Sequence, residues 1–408
     1  MSRLLPPLRL VGATILRDGA LQARSIAIED GRITRGPLPE IDLTGYLVLP
    51  GMVDLHGSSF TRHLAPRPAA QFDPMTALAA TDREAAANGV TTAYLSQGWS
   101  WQGGLRGPDF AETLMSALRR YRAQSLTDLR MSLECETHMV DTAARLMAAV
   151  RSYDVGRLVF HNTLDDTLEH LRERQMHGSD PLSVDEGSAQ EYRLRLRRAQ
   201  ERSKEVPRHL CRLAEAFDDM GVIYGSNGDF DGETRESYAM IGAKQCEFPR
   251  SRRAAAAAKA MGDPVILSAP DTTHPKGQFS ALSTIDLIKE NTCDALASDY
   301  YYPSMLHAVW MLVDMHGMSL PAAWSLVSER PAQIMRLPDR GTLTQGRRAD
   351  LVILHEQTRR IEATIVGGRL AYMAGEAGAR FLGHTPEETA FAVRPSRSQA
   401  SLPQIQRN

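Results

Sequence analysis

Cysteine is scarce in this chain, and no apolar run is long enough to cross a bilayer. The four cysteines among 408 residues, Cys135, Cys211, Cys246 and Cys293, lie far apart. None forms a C-x-x-C pair, which argues against a zinc knuckle or a disulfide framework and leaves core thiols as the expectation. No uninterrupted apolar segment approaches the roughly 20 residues of a membrane span. Prolines break the opening "MSRLLPPLRLVGATIL" where a signal peptide needs an apolar helix, so a cytoplasmic protein without a membrane partner is expected. An excess of one charge is also missing. The 47 basic and 49 acidic residues leave a formal charge of −2, so no global field points to nucleic acid. Finally, no G-x-G-x-x-G follows the first buried run, which removes the main support for a doubly wound dinucleotide fold.

What is present suits a larger architecture. A length of 408 residues accommodates a (β/α)8 TIM barrel with a small accessory domain. The first fifty residues carry short alternating runs, "LRLVGATIL", "SIAIEDGRIT" and "TGYLVLPG", separated by glycine and Asp-Gly turn signals. The stretch "RGTLTQGRRADLVILHEQTRRIEATIVGGRLAYM" repeats that grammar near the other end. One small β-sheet domain built from residues 1–50 and 340–375 is therefore expected, each flank covering edges the other would leave unpaired. Between them, residues 51–339 alternate short apolar runs with Ala- and Leu-rich helical segments, the pattern of parallel strands joined by crossover helices. Eight such runs are present: "MVDLH", "VTTAYL", "RMSLE", "RLVFH", "GVIYGS", "KQCEF", "PVILSA" and "DALASD". The Arg- and Glu-rich segment from about Asp165 to Gly221 exceeds one crossover and is expected to hold extra helices. Residues 376–408 read as a flexible tail.

Barrel catalysis sits where strands end, so the residue closing each run is informative. Four endings offer ligand-type side chains: His56, Glu136, His161 and Asp299. Imidazole and carboxylate are what a divalent transition metal takes from such a rim. Each has a plainer reading, since a lone His56 or His161 can be a hydrogen-bonded core histidine and Asp299 can cap a loop. Period-two alternation puts Glu134 on the same face as Glu136, and His138 lies close, so both stay open as alternatives.

The stretches "PGMVDLH", "SDYYYP" and "GTLTQGRRADLVIL" together resemble the amidohydrolase superfamily. Within it, "DLHGSSFTRHLAPRP", "ANGVTTAYL", "CEFP", "LSAP" and "ALASDYYYPSMLHAVW" are similar to the triphosphate diphosphatases of phosphonate metabolism. The resemblance covers about residues 8 to 375. It implies hydrolysis of a ribose methylphosphonate triphosphate with release of pyrophosphate, using one or two divalent ions (Zn, Mn or Mg). It also implies metal ligation by His56 and His161, a bridging carboxylate at Glu136, and a general base at Asp299. The departures matter equally. Ser58 and Ser59 stand where the family continues with an acid and an amide, and Asn227, Gly228 and Asp229 replace a His-Asp-Asp run. Asp229 or Asp231 is the expected compensating oxygen ligand. His63, Arg67, Asn227 and Lys276, with Arg62, are candidates to hold a phosphorylated small-molecule substrate. A diverged amidohydrolase cutting a C–N or ester bond, and a non-catalytic barrel, are the alternative expectations, and a homo-oligomer is left open.

Overall fold

The computed structural model describes residues 4–67, 70–168, 171, 186–273 and 282–383. Its centre is a ring of eight parallel strands: Met52–Gly57, Val90–Trp99, Asp128–Glu136, Arg157–His161, Ile223–Asn227, Cys246–Glu247, Val265–Ser268 and Ala295–Ala297. Each pairs with its sequence neighbour. The ring closes at a seam between last and first. There Gly57 bridges Asp299 in parallel, Asp299 N donates to His56 O at 2.8 Å, and Ser58 N donates to Asp299 O at 2.6 Å. All eight sequence runs fall on these strands, and all ten residues of Val90–Trp99 are buried, as expected of a parallel strand covered on both faces.

Helices return the chain between strands, and their ends follow local chemistry. The Asp73 carboxylate accepts from Met75 N and Thr76 N with Pro74 at the first helical position, opening the helix Pro74–Ala87. Helix Val206–Met220 ends at Gly221 in the left-handed conformation. The long connection after the fourth strand holds Glu186–Glu201 and Val206–Met220. Leu196 and Ala199 of the former pack with Trp101 and Leu164, and Arg195 reaches Gln102 O at 2.8 Å, so this basic helix is docked on the loop after the second strand.

The flanks form two sheets that share one hydrophobic core. Arg32–Thr34, Ile26–Glu29, Leu8–Val11 and Glu40–Asp42 make a sheet from the N-terminal flank alone. Ala20–Ala23, Thr14–Arg17 and Tyr46–Pro50 join Leu351–His355, Ile361–Val366 and Arg369–Met373 in a six-stranded sheet that mixes both ends. Gly12 lies where the chain passes from one sheet to the other. At φ 75° it turns the chain between Leu8–Val11 and Thr14–Arg17, and an added Cβ would lie 2.4 Å from Thr44 Oγ1. The stretch expected as tail begins with a helix, Gly375–Phe381, whose Ala377 is buried; residues 384–408 lie outside the described residues.

Two strands divide the hydrophobic interior. Leu47 and Leu49 face the barrel core while Tyr46 and Val48 face the core between the flank sheets. Val352 and Leu354 likewise face the barrel, and Leu351 and Ile353 the sheets. Period-two alternation thus lets one layer serve two cores.

Candidate active site

The C-terminal mouth of the ring opens into a cavity of about 520 Å³ lined by His56, Glu134, His161, Asn227, Asp299 and Arg106 among others. His56, on the first strand, lies between two carboxylates. Its Nδ1 is 2.6 Å from Glu247 Oε1 and its Nε2 3.5 Å from Glu134 Oε1. Burial alone would lower the His56 pKa, but the Glu247 and Glu134 charges outweigh it and set it at about 9. Glu134 also faces His161, whose Nδ1 lies 3.7 Å from Oε2, and Arg106 at 3.3 Å. Burial would raise its carboxyl, yet these cationic neighbours hold it at about 2.

Behind His56 the barrel interior is polar. Glu247 has no exposed surface and accepts from Asn227 Nδ2 at 2.7 Å. It also pairs with the Arg157 guanidinium, which donates in addition to Leu55 O at 3.0 Å and Ser132 Oγ at 2.9 Å. Arg157 therefore ties the first, third, fourth and sixth strands together. Burial works against a charged Glu247, but Arg157 and His56 hold its pKa far below the ordinary carboxylate range. Sequence reasoning missed both residues. The signal was a charged residue opening the apolar run "RLVFH" and an acid inside "CEFP".

Asp299 closes the eighth strand in the left-handed conformation, φ 56°, a backbone state costing a non-glycine residue on the order of 1 kcal/mol. Its Oδ2 lies 3.3 Å from Ser268 Oγ, and burial raises its pKa despite the attraction of His56. Asp54, one turn of the alternation below His56, locks the seam, accepting from Ser298 N at 2.8 Å and Ser298 Oγ at 2.6 Å.

The other expected residues are placed elsewhere. Glu136 is turned to the next loop, where it accepts from Thr163 N at 3.1 Å and from the Thr163 hydroxyl, and it does not line the mouth. Asp229 lies below the rim, its Oδ2 accepting from Ser226 Oγ at 2.6 Å and facing Arg235 at 3.4 Å. Asp231 caps the helix Gly232–Met240 by accepting from Thr234 N at 2.8 Å. His138 pairs with Thr137 Oγ1 at 3.1 Å. His63 bonds Glu84 at 2.7 Å, Arg67 is exposed on a short bridge to Ala70, and neither lines the cavity. Lys276 lies outside the described residues. Asn227 does line the mouth, with its amide turned to Glu247.

A divalent ion needs donors gathered about one point. Here two imidazoles share one carboxylate, His56 Nδ1 is engaged by Glu247, and Glu136 and Asp229 point elsewhere. The buried His161 Nδ1 has no hydrogen-bond partner, yet among the described residues no three His, Cys, Asp or Glu side chains are grouped to hold an ion. The set His56, Glu136, His161 and Asp229 does not fit a formed metal site. Among the described residues no helix is long and apolar enough to cross a membrane.

No protein-family model matches the chain. It is 26% identical over 365 residues to the alpha-D-ribose 1-methylphosphonate 5-triphosphate diphosphatase of Escherichia coli K12, covering 85% of this chain and 95% of that protein. The beta-aspartyl dipeptidase of Fervidobacterium islandicum superposes with a TM-score of 0.64 at 13% identity, over 91% of this chain and 97% of that one. A solved amidohydrolase gives 0.61 at 14% identity, over 90% and 99%. The chain is thus a sequence relative of the diphosphatase, built on the barrel-and-sheet fold of the amidohydrolases.

Proposed function

We propose that the chain is a hydrolase of phosphonate metabolism that cleaves a phosphoanhydride bond in a ribose methylphosphonate triphosphate and releases pyrophosphate. The observation that carries this reading is the convergence of His56, Glu134, His161 and Asp299 with Arg106 and Arg250 around one mouth, in a chain similar along most of its length to such a diphosphatase. Phosphoryl transfer depends on positioning and on cations that meet the developing charge. Arg250, paired with Asp166 at 2.5 Å, and Arg106, paired with Glu134 at 3.3 Å, supply positive charge at the wall. The His56 imidazolium supplies fixed charge deeper in.

Asp299 is the group that takes a proton from the attacking water. Its carboxylate is half-buried and its pKa lies above the ordinary value, which makes it a better proton acceptor than an exposed aspartate. Glu134 keeps both imidazoles oriented toward the mouth, and Arg157 with Glu247 keeps His56 from turning. No step is routed through an ion, because the donors do not gather round one.

One observation favours a second reading. The mouth is lined by the acids Glu134, Asp166, Asp271 and Asp299, acceptors that suit an amine-bearing substrate of a C–N hydrolase. Product analysis separates the two: pyrophosphate release from a ribose triphosphate supports the first, amine release from dipeptides the second. In the active assay Glu134→Gln is expected to cost about 10²-fold or more in kcat and Glu136→Gln under tenfold. Equal losses in the two variants would remove Glu134 from its assigned place.

A further inference from the structure

The mouth differs in chemistry from one side to the other. Arg106 follows the second strand, Glu134 lies on the third and His161 closes the fourth. Across the eight-strand ring the lining turns apolar. There Phe248 and Pro249 follow the sixth strand and Leu267 lies on the seventh, while Leu282 and Leu287 come from the helix Thr284–Lys289 and the chain just before it. The proton transfer assigned to Asp299 uses none of these side chains.

Local structure holds this wall in place. Phe248 adopts φ 48°, a conformation that a bulky side chain seldom takes and that its surroundings must enforce. Its N donates to Ile266 O at 2.9 Å, and its ring stands 4.9 Å from the His56 ring. The turn that ends the sixth strand thus keeps a phenyl group at the mouth. Ser283 caps the helix by accepting from Asp286 N at 3.2 Å, which fixes the segment carrying the two leucines. Phe248 and Leu282 are half-buried and keep surface at the cavity, whereas Leu267 and Leu287 are nearly closed off.

We propose that this wall is a specificity subsite for the organic group carried on the substrate's phosphonate, and that the group it prefers is larger than methyl, a butyl chain or a phenyl ring. The assignment deepens the reading of the mouth as a phosphonate site and rests on it. The phosphonate oxygens stay with the cations, and the carbon group turns across the ring to Phe248 and Leu282. A methyl group brings a single carbon to a wall built from two strand ends and a helix. Each further carbon covered there adds about fourfold in affinity, and a phenyl ring also finds an aromatic partner in Phe248.

The test is titration calorimetry of the full chain with methylphosphonate, n-butylphosphonate, phenylphosphonate and n-butylamine. The butyl and phenyl ligands are expected to bind about tenfold more tightly than methylphosphonate, below the full transfer value because the wall covers one side of them. Their heat-capacity change is expected to be more negative, the mark of apolar burial. Leu282→Asn is expected to remove most of that preference. Phe248→Gly, a residue suited to the left-handed turn, removes the ring and decides the matter if the Leu282 variant does not fold. Equal affinity for short and long phosphonates overturns the proposal, as does a preference that survives both variants or binding of n-butylamine in place of the phosphonates. A preference that depends on Leu282 or Phe248, in a protein that releases no pyrophosphate, upholds the subsite while refuting the proposed reaction.

Discussion

Whether His56 carries a proton decides how the mouth is charged. Its pKa in the fold, about 9, stands above the ordinary 6.5 because Glu247 and Glu134 flank it. A pKa raised by folding contributes stability that is fully present below about 6.5 and disappears as pH climbs through about 9. Urea denaturation near pH 6 and near pH 10 is therefore expected to show a loss on the order of 3 kcal/mol from this residue, and His56→Gln is expected to flatten the profile. A variant whose stability falls as steeply as the parent's would contradict the assignment. At this scale the sequence was only partly legible. His56, His161 and Asp299 announce themselves as polar residues closing apolar runs, and the structure brings all three to the mouth. The choice between Glu134 and Glu136 was out of reach, because both point to one face of their strand and only the Thr163 backbone and hydroxyl, 27 residues on, draw Glu136 away.

The strands carry a different lesson. Closure depends on Asp54, a fully buried carboxylate that receives Ser298 N and Ser298 Oγ across the seam and His56 N at 3.3 Å. Asp54→Ala would strand these donors without a partner, at about 1–3 kcal/mol for each buried group left unsatisfied. The expected outcome is a denaturation free energy lower by about 3 kcal/mol or more with far-ultraviolet dichroism intact at low denaturant. A loss within about 0.5 kcal/mol, the level of an ordinary surface change, would show that the seam holds without it. The eight strands were readable because buried parallel strands are short, apolar and evenly spaced. Their lengths were not. The sixth shrinks to Cys246–Glu247 because the chain leaves the sheet at Phe248 with φ 48°, a turn no periodicity announces.

For the molecule as a whole, the layer formed by Tyr46–Pro50 and Leu351–His355 couples the barrel to the flank sheets. Trp324 Nε1 donates to Pro50 O at 2.9 Å across it. Leu49→Ala removes a wholly buried side chain from the barrel face and is expected to cost about 2–5 kcal/mol. Because the same strand serves both cores, tryptophan fluorescence and backbone dichroism should lose signal in one transition. Two separated transitions would mean that the layer does not transmit stability. The pairing of both chain ends was visible in their shared strand grammar; the division into two sheets was not, since the turn between them runs through Gly12 at positive φ, which no periodicity announces.

Asp299 serves as the last rung of the ring and as the carboxylate assigned to water. Its left-handed backbone is held by rungs to His56 and Ser58 on the first strand. A breach at that rung would re-aim the acid while every helix stays in place. Catalytic output would then report the integrity of the hoop sooner than any spectroscopic measure of folding, falling silent while the protein still looks whole.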